Sequence, residues 1–242
     1  MPLTRLLMIP LLYTLVACTQ NKAPNHALVS IPEASGIAYC PQSNTLVIAN
    51  DEGSYYEISP KGEIRQQYHL GDYDLEGVVC HPHSFVFAVE NGYLLEVERQ
   101  TQKQTKLTLN LGDKKIKISK KRGIEGLAYH DGLYYLSIQN KKRKPSKILV
   151  LKREANQLNL KHVIIHPIQD AAGLVYQNEK LYIVSDKKEK LYRFDLKREE
   201  IEQEIKLKEF AQEGIAFDKD SNVYFADDDG GVFKYTRQEL GL

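Results

Sequence analysis

Hydrophobic positions along the chain fall into short runs separated by polar turns, and one of these runs recurs. Five segments share a glycine, a large aliphatic, a smaller aliphatic and then usually an aromatic: Ser35-Gly36-Ile37-Ala38-Tyr39, Glu76-Gly77-Val78-Val79-Cys80, Glu125-Gly126-Leu127-Ala128-Tyr129, Ala172-Gly173-Leu174-Val175-Tyr176 and Glu213-Gly214-Ile215-Ala216-Phe217. The glycines stand 41, 49, 47 and 41 residues apart. Each segment is followed by a turn and a second β-rich run: Leu46 to Ala49, Phe85 to Val89, Leu133 to Ile138, Leu181 to Ser185 and Val223 to Ala226. A third run follows in every repeat, from Tyr55, Tyr93, Ile148, Leu191 and Val232, and a more polar fourth run closes the first four. Four antiparallel strands per repeat of about 40 to 45 residues predict the blades of a β-propeller.

The first strand of each repeat is apolar at consecutive positions, so both of its faces must be buried, as happens when radial blades stack face to face. The last repeat has three strands, while an unassigned run, Ala27 to Ile31, precedes the first glycine. Pairing the two would close the ring and remove an open edge. The expected fold is therefore all-β: a five-bladed β-propeller with four antiparallel strands per blade, forming a single domain over residues 27–242.

Residues 1–17 read as an export signal, with Arg5 ahead of an apolar stretch too short to span a bilayer and broken by Pro10. Leu15-Val16-Ala17-Cys18 resembles the lipobox of bacterial lipoproteins, which makes Cys18 the expected lipidated N-terminus and residues 18–26 a polar tether. Thr19 after that cysteine points to the periplasmic face of the outer membrane. Lysine and arginine number 33 against 32 acidic residues, a net charge of +1. No global field recruits nucleic acid, and a monomer is expected. In an oxidising compartment a bond between Cys40 and Cys80 stays open. Their positions differ by one residue within the repeat, which favours two separate buried thiols because alternation points them to opposite faces.

Strand order places the residue before each glycine and the residue closing each second strand on one face. Ser35, Glu76, Glu125, Ala172 and Glu213 form the first set; Asp51, Glu90, Gln139, Asp186 and Asp228 form the second. Seven carboxylates would then gather at one channel mouth and repel one another unless a proton or cation intervenes. An oxygen-only set favours a hard ion, Ca²⁺ before Mg²⁺. An equal alternative is that these acids cap turns and meet solvent. Lys120, Lys121, Arg122, Lys141, Lys142 and Arg143 fall on the same face and are candidates for anion binding, or simply solvated loops. His81-Pro82-His83 belongs to the opposite face, where a turn is favoured over a metal pair, and Tyr39, Tyr129 and Tyr176 read as interblade packing.

The repeats resemble the SdiA-regulated domain family, YjiK-like proteins related to NHL-type propellers. The resemblance rests on Asp74-Leu75-Glu76, Ile124-Glu125-Gly126-Leu127-Ala128-Tyr129, Asp170-Ala171-Ala172-Gly173 and Glu213-Gly214-Ile215-Ala216-Phe217-Asp218, and runs from about residue 28 to the end. It implies an exported propeller. More distant propellers of similar appearance include calcium-dependent phytases and lactonases. The functional expectation is a lipid-anchored module that holds a small molecule or protein at its acidic mouth with calcium as organiser. The alternatives are a calcium-dependent hydrolase of phosphoesters or lactones, and an interaction scaffold.

Overall fold

The computed structural model describes residues 26–114, 116–119, 122–138, 146–208 and 212–242. Cys18, Lys120, Lys121, Gln139, Lys141, Lys142 and Arg143 lie outside the described residues. The chain opens with β1 (Ala27–Val29). Unit 1 comprises β2 (Ala34–Cys40), β3 (Thr45–Asn50), β4 (Ser54–Ile58) and β5 (Ile64–His69). Unit 2 comprises β6 (Leu75–Cys80), β7 (Ser84–Val89), β8 (Tyr93–Glu98) and β9 (Gln104–Asn110). Unit 3 comprises β10 (Ile124–His130), β11 (Leu133–Ile138), β12 (Ser146–Glu154) and β13 (Gln157–His166). Unit 4 comprises β14 (Ala171–Gln177), β15 (Lys180–Ser185), β16 (Lys190–Asp195) and β17 (Glu200–Lys206). Unit 5 is built from β18 (Gln212–Phe217), β19 (Val223–Asp227) and β20 (Gly231–Tyr235), with a short helix α1 (Arg237–Leu240) after it.

Within each unit the strands pair antiparallel in sequence order, and β1 completes unit 5 by pairing antiparallel with β20. The sheets number four because units 2 and 3 are joined. The fourth strand of unit 3 begins at Gln157, and Gln157, Leu158 and Asn159 pair in parallel with Thr108, Leu109 and Asn110 of β9. The resulting eight-stranded sheet folds back until its end strands, β6 and β10, meet.

The first strands form a ring of neighbours: β2 against β6, β6 against β10, β10 against β14, β14 against β18, and β18 against β2. Glycine makes this convergence feasible. A Cβ on Gly36 would sit 1.9 Å from the carbonyl oxygen of Glu76, and one on Gly126 would sit 1.9 Å from that of Ala172. Those backbones approach closer than any side chain permits.

Parity along these strands sets the core. The residue after each glycine (Ile37, Val78, Leu127, Leu174, Ile215) packs toward the preceding unit, and the next (Ala38, Val79, Ala128, Val175, Ala216) toward the following one. Apolar clusters therefore fill the seams between units, which explains why both faces of each first strand are apolar.

The same parity corrects the reading of the cysteines. Cys40 and Cys80 are joined in a disulfide with Cα atoms 5.5 Å apart. A bond across a seam requires one partner facing forward and the other backward, so the one-residue offset aims the two thiols at each other. Closing a loop of sequence separation 40 restricts the unfolded chain and contributes about 4 kcal/mol. The double variant Cys40→Ser, Cys80→Ser should therefore melt roughly 8–16 °C lower than wild type by calorimetry. An unchanged melting temperature would show that the bond does not brace this seam.

Candidate functional site

A β-bulge interrupts every first strand at the level of its glycine. In β2, Ala34 pairs with Asn50 and Gly36 with Ala49, which leaves Ser35 as the extra residue. Glu125 is the extra residue of β10 and Glu213 that of β18. In β6 and β14 the irregularity spans Glu76-Gly77 and Ala172-Gly173. Regular alternation would turn the residue before the glycine onto the same face as the residue after it, into the seam. The bulge breaks that parity and re-aims the side chain.

The acids so presented act on one another. Glu76 is only 8% exposed. Burial raises its pKa well above the usual carboxylate range, and Glu125, Asp51 and Glu213 raise it further. Burial pushes Glu213 up to about 9, with Glu125, Asp186 and Asp170 adding to the effect. Glu125 is pushed to about 7 by burial, then by Asp170 and Glu90. Asp51 likewise reaches about 7 through burial, partly offset by the Ser35 hydroxyl beside it. Asp186 is raised by burial and Asp170. Asp228 touches this network through Asp51 and Glu213. All seven sequence-identified carboxylates thus interact at one end of the ring, where like charges in a shielded setting favour protonation or a bound cation.

Two groups bring carboxylate oxygens within 4.8 Å of one another: Glu33 with Asp51 and Asp228, and Asp51 with Asp74 and Glu76. Asp51 belongs to both, and one buried oxygen on each of Asp51 and Asp228 lacks a partner. The donor set is all oxygen, as a hard cation requires. Ser35 donates to the carbonyl of Leu75 at 2.5 Å and is buried.

Unit 4 departs from the pattern. Ala172 supplies no carboxylate, and its carbonyl accepts from the Ser137 hydroxyl at 3.1 Å. Asp170 and Lys187 instead form an ion pair of 2.8 Å at this part of the rim. Lys187 feels Asp170, Asp186 and Glu213, all of which raise its pKa. Sequence reasoning missed Glu33, Asp74, Asp170 and Lys187. The first three had a detectable signal, since each stands three places before a repeat glycine: Gly36, Gly77 and Gly173. Of the expected basic wall, Arg122 is exposed on this side, two residues before Ile124, whose N–H meets the Glu90 carbonyl.

The opposite end carries His81, whose Nε2 lies 2.9 Å from the Tyr134 hydroxyl, and its ring meets Tyr129 edge-on at 4.5 Å. A packing role thus accounts for His81, and burial lowers its pKa.

Comparison with solved structures gives a likeness of fold. The glutaminyl cyclase of Myxococcus xanthus superposes with a TM-score of 0.64 at 12% identity, over 84% of this chain and 89% of that one. A streptogramin B lyase gives 0.50 at 14% identity, over 86% and 70% of the two chains. A chain of a nidogen/laminin complex gives 0.50 at 13% identity over 71% of this chain, which spans 62% of that one. These neighbours are propeller-like, in agreement with the all-β architecture. No curated protein matches the sequence. The family model described as SdiA-regulated matches residues 21–233, and the chain belongs to that SdiA-regulated family.

Proposed function

We propose that the protein is an exported, lipid-anchored binding module: a five-bladed β-propeller that captures a small molecule or protein at its acidic mouth around a Ca²⁺ ion. The five units supply the blades, with β1 as the fourth strand of the last. The observation that carries the reading is the pair of carboxylate groups that share Asp51, whose buried Oδ1 lacks a hydrogen-bond partner, beside the buried Glu76. An unpaired charge in such a place is unfavourable by several kcal/mol, and a divalent cation removes the repulsion by binding to it. Asp51, Asp74 and Glu76 would hold the ion, with Glu33 and Asp228 sharing Asp51 on the other side. Lys187, poised on the rim beside Asp170, offers an ammonium to an anionic group of the ligand. Anchoring at Cys18 would tie the module to the periplasmic face of the outer membrane through a tether that enters β1 at the end away from the acidic mouth.

Thermal unfolding with and without calcium tests the cation. At millimolar Ca²⁺ the wild-type midpoint should rise by several degrees, and Glu76→Gln should lose most of that rise. A midpoint indifferent to calcium at this concentration would remove the metal from the reading.

A further inference from the structure

The ring has a second mouth. Beyond the glycine level, where the five first strands come into backbone contact, a cavity of about 200 Å³ opens on the side away from the acids. All five units contribute to it, through the residues that follow each repeat glycine. Not one of its lining residues carries a charge, in a chain that is 27% charged. Leu127 and Leu174 form part of the wall, and Tyr39, Tyr129 and Tyr176 stand around it.

The tyrosines pack between units as expected, Tyr39 against the cluster between units 5 and 1, Tyr129 on His81 and Tyr176 on His130, and they also line the cavity. Tyr129 is 40% exposed, one of few large hydrophobic side chains so open among the described residues. Each is nevertheless held from outside the cavity. The Tyr39 hydroxyl donates to Asn44 Oδ1 at 2.8 Å. Tyr129 is braced by His81 and by Tyr134, with ring centroids 4.5 Å and 4.8 Å away. Tyr176 stacks on His130 at 3.5 Å with an interplanar angle of 12°. Fixed rings around an uncharged hollow are a preorganised apolar site, since little side-chain freedom remains to be lost on binding.

We propose that this cavity binds a small uncharged aromatic molecule, a single ring system seated among Tyr39, Tyr129 and Tyr176. The volume falls below the roughly 300–1,000 Å³ of pockets for drug-sized ligands, which limits the occupant to one ring system. Aromatic rings gain offset or edge contacts with tyrosine beyond simple burial. A cation would find rings but no carboxylate here, whereas the acidic mouth lies on the far side of the glycine waist. The inference does not rest on the calcium reading.

Isothermal titration of the purified protein with indole and with p-cresol, using choline as a cationic comparator, tests it. Indole or p-cresol should bind with a dissociation constant below about 1 mM. Tyr129→Ala and Tyr176→Ala should each weaken binding at least tenfold, while Glu125→Gln at the other mouth should change it less than twofold. Absence of binding by both aromatic compounds at 5-fold that concentration would overturn the proposal. So would tighter binding of choline, or affinities unchanged in both tyrosine variants. Because Glu125→Gln reports on the acidic mouth, failure here is distinguishable from failure of the cation site.

Discussion

Raising the pH from 5 to 9 in a chelating buffer should lower the melting temperature by more than 10 °C, and calcium should restore most of the loss. A carboxylate whose folded pKa exceeds its unfolded value binds its proton more tightly in the folded state. Folding is therefore favoured while that proton is available, and stability falls as pH climbs from the unfolded value toward the folded one. Asp51 and Glu125 open this window up to about 7, and Glu213 extends it to about 9. Each unit of raised pKa corresponds to about 1.4 kcal/mol, so several such groups together exceed about 4 kcal/mol even after allowance for solvent. At 2–4 °C per kcal/mol this gives the stated drop. His166 acts on the acid side. Its buried ring has a pKa lowered to about 4, so stability is lost as pH falls from 6.5 toward that value. Because several carboxylates outweigh one histidine, the melting temperature should peak at about pH 4–5, and Glu213→Gln should flatten the alkaline arm. A flat profile between pH 5 and 9 without calcium would refute the idea that charge is confined at this mouth.

Gly126→Ala should yield little folded protein, or a midpoint more than 10 °C lower. The added methyl would lie 1.9 Å from the Ala172 carbonyl oxygen and 2.9 Å from the Ser137 hydroxyl. The nearer obstacle is backbone on a neighbouring strand, which cannot rotate aside, so β10 and β14 would have to separate and open the Leu127 and Leu174 packing on either flank. Losses of this kind exceed about 4 kcal/mol. Gly230→Ala is the matched control, because its nearest neighbours would be 3.6 Å away. That variant should fold and melt within about 2 °C of wild type. If Gly126→Ala behaved like it, the close approach of the first strands would not be what the repeat glycine serves.

Much of this organisation can be read from the residues. The runs from Leu133 to Ile138 and Leu181 to Ser185 announce second strands because branched and aromatic side chains crowd between turn formers, and their limits agree with β11 and β15 within a residue. The pairing of β1 with β20 follows from a missing fourth strand and a spare run. The bulges are less legible, since a glycine preceded by an acid does not by itself say that the ladder slips there. The disulfide is hidden for a related reason: alternation describes the faces of one sheet, whereas the bond spans two sheets that face each other. Lys187 escaped because a lone lysine in a turn looks like any solvated loop until Asp170 is placed 2.8 Å from it.

The joints between units are unequal. The Cys40–Cys80 bond rivets units 1 and 2, and the parallel stretch between β9 and β13 welds units 2 and 3. Among the described residues neither device recurs on either side of unit 4. Three units thus make a stiff arc, leaving the remaining two as the compliant sector of the wheel. Amide exchange should be slowest in β6 and β7 and fastest in β14 to β17. Asp51, Asp74 and Glu76 stand on the stiff arc, while Lys187 and Asp186 ride on the compliant sector. A ligand could then draw the soft side of the rim inward against an anvil that does not move.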